Sequence, residues 1–137
     1  MLQMIFTVTE RGGALIVGAE MAYAGRTHVK RVVFPSGSSL SGADREKKIE
    51  AGLMEILDQL KRPCRIDLKT DLYRLVESRW IALGKSRASQ HQITWSLVPP
   101  TSRTILKVQA ELRRDASLVD AAEGIFFGQD KRKAQVA

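Results

Sequence analysis

Alternating apolar residues mark the first part of the chain. Between residues 3 and 9, Met4, Phe6 and Val8 fall on one side of an extended backbone, a pattern typical of a half-buried strand. Two similar stretches follow, each after a short turn that contains glycine. Connections this short join neighbouring antiparallel strands. The sequence therefore predicts a three-stranded meander over residues 3–9, 14–23 and 28–34.

Helical spacing begins after the loop PSGSSLSG. Apolar residues recur at intervals of four, three and four at Ile49, Leu53, Ile56 and Leu60, which places them on one face of a helix that packs on the sheet. We expect this helix to begin after Ser41, because serine is a favoured helix cap. The proline two residues after Lys61 ends it.

Two more strands and two more helices are predicted in the rest of the chain. The strands cover residues 65–70 and 93–98, a helix runs from about Asp71 to Leu83 between them, and a last helix is capped by Thr101 or Ser102. Trp80 and Trp95 are expected to pack in the core. The order β-β-β-α-β-α-β-α predicts an α/β fold with a five-stranded mixed sheet and flanking helices.

The end of the chain has a weaker pattern. Residues 118–127 are expected to add a short helical turn or to pack Phe126 and Phe127 on the domain. Residues 129–137 are polar and basic, and we expect a mobile tail there. A chain of 137 residues fits one domain, so the predicted division is a domain over 1–128 and a tail over 129–137.

Basic residues outnumber acidic ones, and the formal net charge is +7. This charge favours an anionic partner, nucleic acid above all, although a solvated basic surface is the alternative. The lysines and arginines are clustered rather than evenly spread. The candidate nucleic-acid contacts are Lys30, Arg31, Lys47, Lys48, Arg74, Arg79, Lys85 and Arg87, with Lys131, Arg132 and Lys133 as a nonspecific attraction in the tail.

The sequence lacks the residues that a disulfide, a zinc site, a membrane span or a secretion signal requires. One cysteine, Cys64, excludes an internal disulfide, and neither His28 nor His91 has cysteine or carboxylate neighbours at zinc-ligand spacing, so both are expected at the surface or at strand ends. We expect Cys64 in a buried strand. No apolar run is long enough to span a membrane, and the start lacks the pattern of a secretion signal. A cytoplasmic location without a membrane partner is therefore expected.

Four stretches of this chain resemble the ribonuclease H family. They are Ile5-Phe6-Thr7, the glycine-led Gly12 to Val17, the passage LKRPCRIDLKTD that ends at Asp71, and SQHQITWSLV from Ser89 to Val98. The resemblance covers about residues 3–114 and implies the ribonuclease H-like fold. It also implies a place for the four carboxylates with which the family holds two divalent cations.

Only one of these four carboxylates is present at its matching position. Asp71 matches, whereas Val8, Ile49 and Ala110 align with the other three. Glu10, Glu50 and Glu111 lie one or two residues from the aligned positions. On a helix, a shift of one residue turns a side chain by about 100°, which usually removes it from the site. Asp71 therefore has two readings: a vestigial catalytic residue, or a helix cap.

Three functions follow from these observations. The first is a catalytically degenerate ribonuclease H-like protein that needs no cofactor and binds an RNA/DNA hybrid or a duplex, alone or as an accessory subunit of a nucleic-acid complex. The second is an active endonuclease that uses Mg²⁺ or Mn²⁺ in a shifted site built from Asp71, Glu10, Glu50 and Glu111. The third is a protein-interaction subunit that contacts its partner through residues such as Phe126 and Phe127.

Overall fold

A mixed β-sheet runs through the middle of the molecule. The computed structural model describes residues 1–78, 91–114 and 126–127. In these ranges the sheet has six strands in the order β5-β4-β1-β2-β3-β6. The strands are β1 Leu2–Arg11, β2 Ala14–Tyr23, β3 Arg26–Phe34, β4 Arg65–Thr70, β5 Gln92–Leu97 and β6 Phe126–Phe127.

The predicted meander is confirmed. Strand β1 pairs with β2 and β2 pairs with β3, both in antiparallel register. Gly12 and Gly13 form the first turn with φ values of 59° and 80°, a left-handed conformation that glycine adopts without steric cost. Strand β4 then pairs in parallel with β1, and β5 pairs in parallel with β4. The α/β class and the five predicted strands of the mixed sheet are therefore present.

Three helices flank the sheet. They are α1 Gly42–Asp58, α2 Tyr73–Ser78 and α3 Arg103–Arg113, with a short 3-10 turn at Gly37–Ser39 before α1. The helix predicted to reach Leu83 is described as far as Ser78, and Trp80 lies outside the described residues. None of the helices in the described ranges is long and apolar enough to cross a membrane.

Helix α1 covers one face of the sheet with the predicted stripe. Ile49, Leu53 and Ile56 are buried against Met4, Phe6 and other strand residues, while Leu60 and Trp95 are partly buried beside them. Close packing requires glycine at Gly52, since a Cβ atom there would lie 2.8 Å from Cγ1 of Val17.

Helix α3 covers the other face. Ser102 caps it as predicted, because its Oγ accepts a hydrogen bond from the backbone N–H of Ile105. Val108 and Leu112 are buried against a second apolar cluster on β2 and β3. The two helices α1 and α3 therefore lie on opposite faces of the sheet.

The structure differs from the sequence-based expectations near the chain end and around the fourth strand. The backbone of Phe126–Phe127 returns to the domain and pairs with Val32 and Val33 as an edge strand that was not predicted. The side chains of these two residues, residues 118–125 and residues 129–137 are outside the described part. Cys64 precedes β4 and is only half-buried. His91 does lie at a strand end, immediately before β5, but it is buried with 7% of its surface exposed.

Candidate functional site

Asp71 follows the last residue of β4 and reaches towards the neighbouring strand β1. Parallel pairing places Phe6 beside Thr70, so the next residues of the two strands, Thr7 and Asp71, are also close. The Thr7 hydroxyl donates a hydrogen bond of 2.8 Å to Oδ1 of Asp71. This hydrogen bond links Asp71 to strand β1. The backbone N–H of Leu72 donates to Thr70 Oγ1.

Gln109 of helix α3 extends this link. Its Nε2 atom donates to Thr7 Oγ1 at 3.2 Å and to the carbonyl oxygen of Val8 at 3.1 Å. Gln109 could not be identified from the sequence, because a glutamine on the sheet-facing side of a helix has no signature of its own. A chain of polar groups thus joins α3, β1 and Asp71.

Two of the residues aligned with family carboxylates are in the core. Val8 and Ile49 belong to the buried apolar cluster under α1, with 7% and 4% of their surfaces exposed. Ala110 is exposed on α3. Burial of Ile49 fixes the rotation of α1 about its axis, and so fixes where the neighbouring Glu50 points.

Glu50 nevertheless lies near Asp71. A cleft of about 320 Å³, here named the carboxylate cleft, opens between the start of α1 and the start of α2. Its lining is Asp71, Glu46, Glu50, Arg45 and Arg74 together with Ile49, Leu72, Tyr73 and Leu75. Glu46 was missed from the sequence, although its spacing of four residues from Glu50 places both on one helix face.

Two arginines line the carboxylate cleft beside its acidic residues. Arg74 Nε lies 3.1 Å from Glu46 Oε2, and Arg45 Nη2 lies 3.5 Å from Oε2 of Glu10 on β1. Glu111 is on α3, where Arg114 pairs with it at 3.1 Å. In the described ranges, no three His, Cys, Asp or Glu residues are grouped as metal ligands. Of the four residues proposed for a shifted site, Asp71 and Glu50 line the carboxylate cleft, whereas Glu10 and Glu111 do not.

Tyr73 adds a titratable hydroxyl to the same cleft. Its hydroxyl donates to Oε2 of Glu77 at 2.5 Å. This hydrogen bond and the negative charge of Glu77 raise the pKa of Tyr73 above its ordinary value. The protonated hydroxyl is the hydrogen-bond donor in this pair, and the raised pKa extends that state to higher pH.

The candidate nucleic-acid contacts are dispersed. Lys47 and Lys48 are exposed on α1, with Lys48 Nζ 5.6 Å from the centre of the Phe34 ring, and Arg74 is exposed on α2. Lys30 is half-buried on β3. Arg31 is only 3% exposed, and its Nη2 donates to the carbonyl oxygen of Glu111 at 3.2 Å. Arg79, Lys85, Arg87, Lys131, Arg132 and Lys133 lie outside the described residues.

Comparison with known proteins adds no assignment. No protein-family model matches the sequence, and no curated protein matches it either. The function is therefore inferred from the geometry of the carboxylate cleft, from the charge of the chain and from the resemblance of its motifs.

Proposed function

We propose that this protein is a ribonuclease H-like domain that has lost two-metal catalysis and binds nucleic acid. The sheet order β3-β2-β1-β4-β5 is compatible with that fold. Asp71, which matches the family motif in sequence, follows the end of β4, whose last residue Thr70 pairs with Phe6 of β1. The observation that carries the proposal is that Val8 and Ile49, at two of the four carboxylate positions, are built into the apolar core.

The chemistry of two-metal cleavage explains why this observation matters. Two divalent cations about 3.5–4 Å apart need several hard oxygen ligands. Asp71 and Glu50 supply oxygens to the carboxylate cleft, but Arg45 and Arg74 line it as well. Positive guanidinium groups repel a cation, so this set of residues favours a site that does not hold two metals.

Nucleic-acid binding does not require those metals. Duplexes and hybrids are recognised through phosphates and, on the RNA strand, 2′-hydroxyl groups. The net charge of +7 supplies the long-range attraction. Lys47 on α1 and Arg74 on α2 are exposed, and Arg74 also lines the carboxylate cleft.

Salt dependence of binding tests this proposal. Affinity of the full chain for an RNA/DNA hybrid should fall as the salt concentration rises. For a B-form DNA duplex, the expected log–log slope is about 0.9 for each phosphate contacted. The double variant Lys47→Ala/Arg74→Ala should bind more weakly across sequences and show a shallower slope, because phosphate contacts carry no sequence information.

The matched control is Arg103→Ala/Lys107→Ala on α3. Both residues are exposed, and the substitutions remove the same charge from the opposite face of the sheet. The control should bind as the parent does. Equal binding by all three proteins, or no binding by the parent, would contradict the proposal and direct attention to a protein partner.

A shifted nuclease site is the second candidate, and one observation favours it. Asp71, Glu46 and Glu50 line the same cleft, so a cation could recruit them if Arg45 and Arg74 moved aside. Cleavage of a hybrid in Mn²⁺ that disappears in both Asp71→Asn and Glu50→Gln would establish this function and remove the first.

A further inference from the structure

A larger cavity lies at the opposite end of the sheet from Asp71. Its volume is about 680 Å³, within the range of sites that bind small organic groups. Its lining includes Met21, Tyr23, Lys30, Leu60, Arg62 and Arg65. We call it the basal cavity. Arg65 begins β4 and Asp71 follows its end, so the two sites are roughly 20 Å apart along the strand.

The basal cavity exists because the strands extend beyond the helix that covers them. Ten residues of β2 span roughly 30 Å, whereas the 17 residues of α1 span roughly 25 Å. Helix α1 ends at Asp58, and the connection that follows it, from Leu60 to Cys64, closes one side. The uncovered ends of β2 and β3 form the other side.

Pairing of β2 with β3 sets the residues of that second side. Met21 is opposite His28 in the register, and Ala19 is opposite Lys30. Tyr23 is two residues beyond Met21 and therefore lies on the same face. An aromatic ring, an imidazole and an ammonium group are thus brought side by side over an apolar floor.

Charge and polarity differ between the floor and the rim. Leu2, Met21 and Leu60 supply apolar surface, and Tyr23 remains 62% exposed. The charged residues of the lining are all basic, and no Asp or Glu from the described residues takes part in it. A matching ligand has a flat, weakly polar ring and negative charge at its edge.

The basic residues of the lining come from two sides of the opening. Lys30 belongs to β3, whereas Arg62 and Arg65 belong to the connection after α1 and to the start of β4. Strands β1 and β2 separate β4 from β3, which puts the two sides roughly 14 Å apart at the spacing of neighbouring strands, so a single phosphate lies near one side only. A run of phosphates that crosses the opening, with a ring inserted between them, would meet both sides.

We propose that the basal cavity binds an unpaired nucleotide of a single-stranded nucleic acid, with its base stacked on Tyr23 and the flanking phosphates held by Lys30, Arg62 and Arg65. Aromatic platforms bordered by cations bind single strands in this way, with little preference for sequence. The inference rests on the proposed function only in taking nucleic acid as the partner, and it adds a second site for the single-stranded part.

Binding of three labelled probes tests the inference: a blunt RNA/DNA hybrid, the same hybrid with a single-stranded overhang, and an unpaired oligonucleotide. The overhang should tighten binding by the parent. Tyr23→Ala should bind the unpaired oligonucleotide roughly 5-fold to 150-fold more weakly, as expected for one stacked base. Tyr23→Phe should retain parental affinity, and Arg62→Ala/Arg65→Ala should weaken overhang binding and its salt dependence.

The outcomes separate the two proposals. If the blunt hybrid binds but the overhang adds nothing, or if Tyr23→Ala binds the unpaired probe like the parent, the basal cavity proposal is overturned and the proposed function stands. If the parent binds the unpaired probe in a way that depends on Tyr23 but does not bind the hybrid, the basal cavity proposal stands and the proposed function is overturned. A free mononucleotide that competes as well as the oligonucleotide would overturn the single-strand proposal, and failure of every probe would overturn both.

Discussion

The hydroxyl of Thr7 and the carboxylate of Asp71 form a hydrogen bond of 2.8 Å between residues that are 64 positions apart. Thr7 is fully buried, and it also accepts a hydrogen bond from Gln109. The one carboxylate that the family resemblance identifies is thus part of a link between two strands and a helix. A structural task of this kind is compatible with the loss of a catalytic one.

Thr7→Val should therefore destabilise the protein. Valine keeps the shape of threonine but removes the hydrogen bond to Asp71 and one of the two that Gln109 donates. Asp71 and Gln109 are both partly buried. Leaving such groups unsatisfied costs about 1–3 kcal/mol, measurable as a lower midpoint of urea unfolding. Thr94→Val on an exposed position of β5 is the control and should change stability by less than about 0.5 kcal/mol. Equal stability of the two variants would contradict this role.

Catalysis provides the second prediction. Purified protein should leave an RNA/DNA hybrid intact in Mg²⁺ and in Mn²⁺, because the carboxylate cleft contains two arginines beside its acidic residues. A gel assay of labelled hybrid measures this. Cleavage that survives in Asp71→Asn would point to a contaminating nuclease, whereas cleavage lost in that variant would refute the prediction.

Much of the fold could be predicted because its signals are local. Alternation of apolar residues located the strands, and the spacing of Ile49, Leu53 and Ile56 located α1 and its buried face. The same stripe determined that Ile49, rather than Glu50, faces the core. Local periodicity therefore predicted both the helix α1 and the burial of Ile49.

The sites were harder to predict because their parts come from distant segments. Nothing in the residues around Arg31 indicates that α3 will cover it and that the carbonyl of Glu111 will accept its hydrogen bond. The basal cavity likewise joins Tyr23 to Arg62, and it depends on how far a helix extends over two strands. Such relationships are determined by tertiary packing rather than by sequence pattern.

Packing of α1 gives the third prediction. Leu53 is fully buried at the centre of the stripe, so Leu53→Ala should lower the free energy of unfolding by about 2–5 kcal/mol. Glu55→Ala, two residues later on the exposed side, should have an effect below about 0.5 kcal/mol. Thermal unfolding followed by circular dichroism would distinguish them. A negligible loss in Leu53→Ala would reject the assigned buried face.

Packing of α3 gives the fourth prediction. A Cβ atom at Gly18 would lie 2.3 Å from Cδ2 of Leu112 and 2.7 Å from the carbonyl oxygen of Lys30. Gly18→Ala should therefore destabilise the protein by about 1–3 kcal/mol. Gly42→Ala is the control, since a Cβ atom there has no neighbour within 4 Å, and it should not destabilise. If Gly42→Ala lost stability and Gly18→Ala did not, the close packing assigned to Gly18 would be refuted.

His91 gives the last prediction, because its buried ring joins α1 to the start of β4. Its Nδ1 accepts a hydrogen bond of 3.0 Å from the backbone N–H of Cys64, so its Nε2 carries the proton and donates to the carbonyl oxygen of Leu57 at 3.3 Å. His91→Leu fills the space but removes both partners, which should cost about 1–3 kcal/mol. The Cys64 amide should then exchange its hydrogen with solvent faster than in the parent. His28→Leu, at an exposed position, should leave that exchange unchanged, and equal exchange in both variants would show that the ring does not hold the connection.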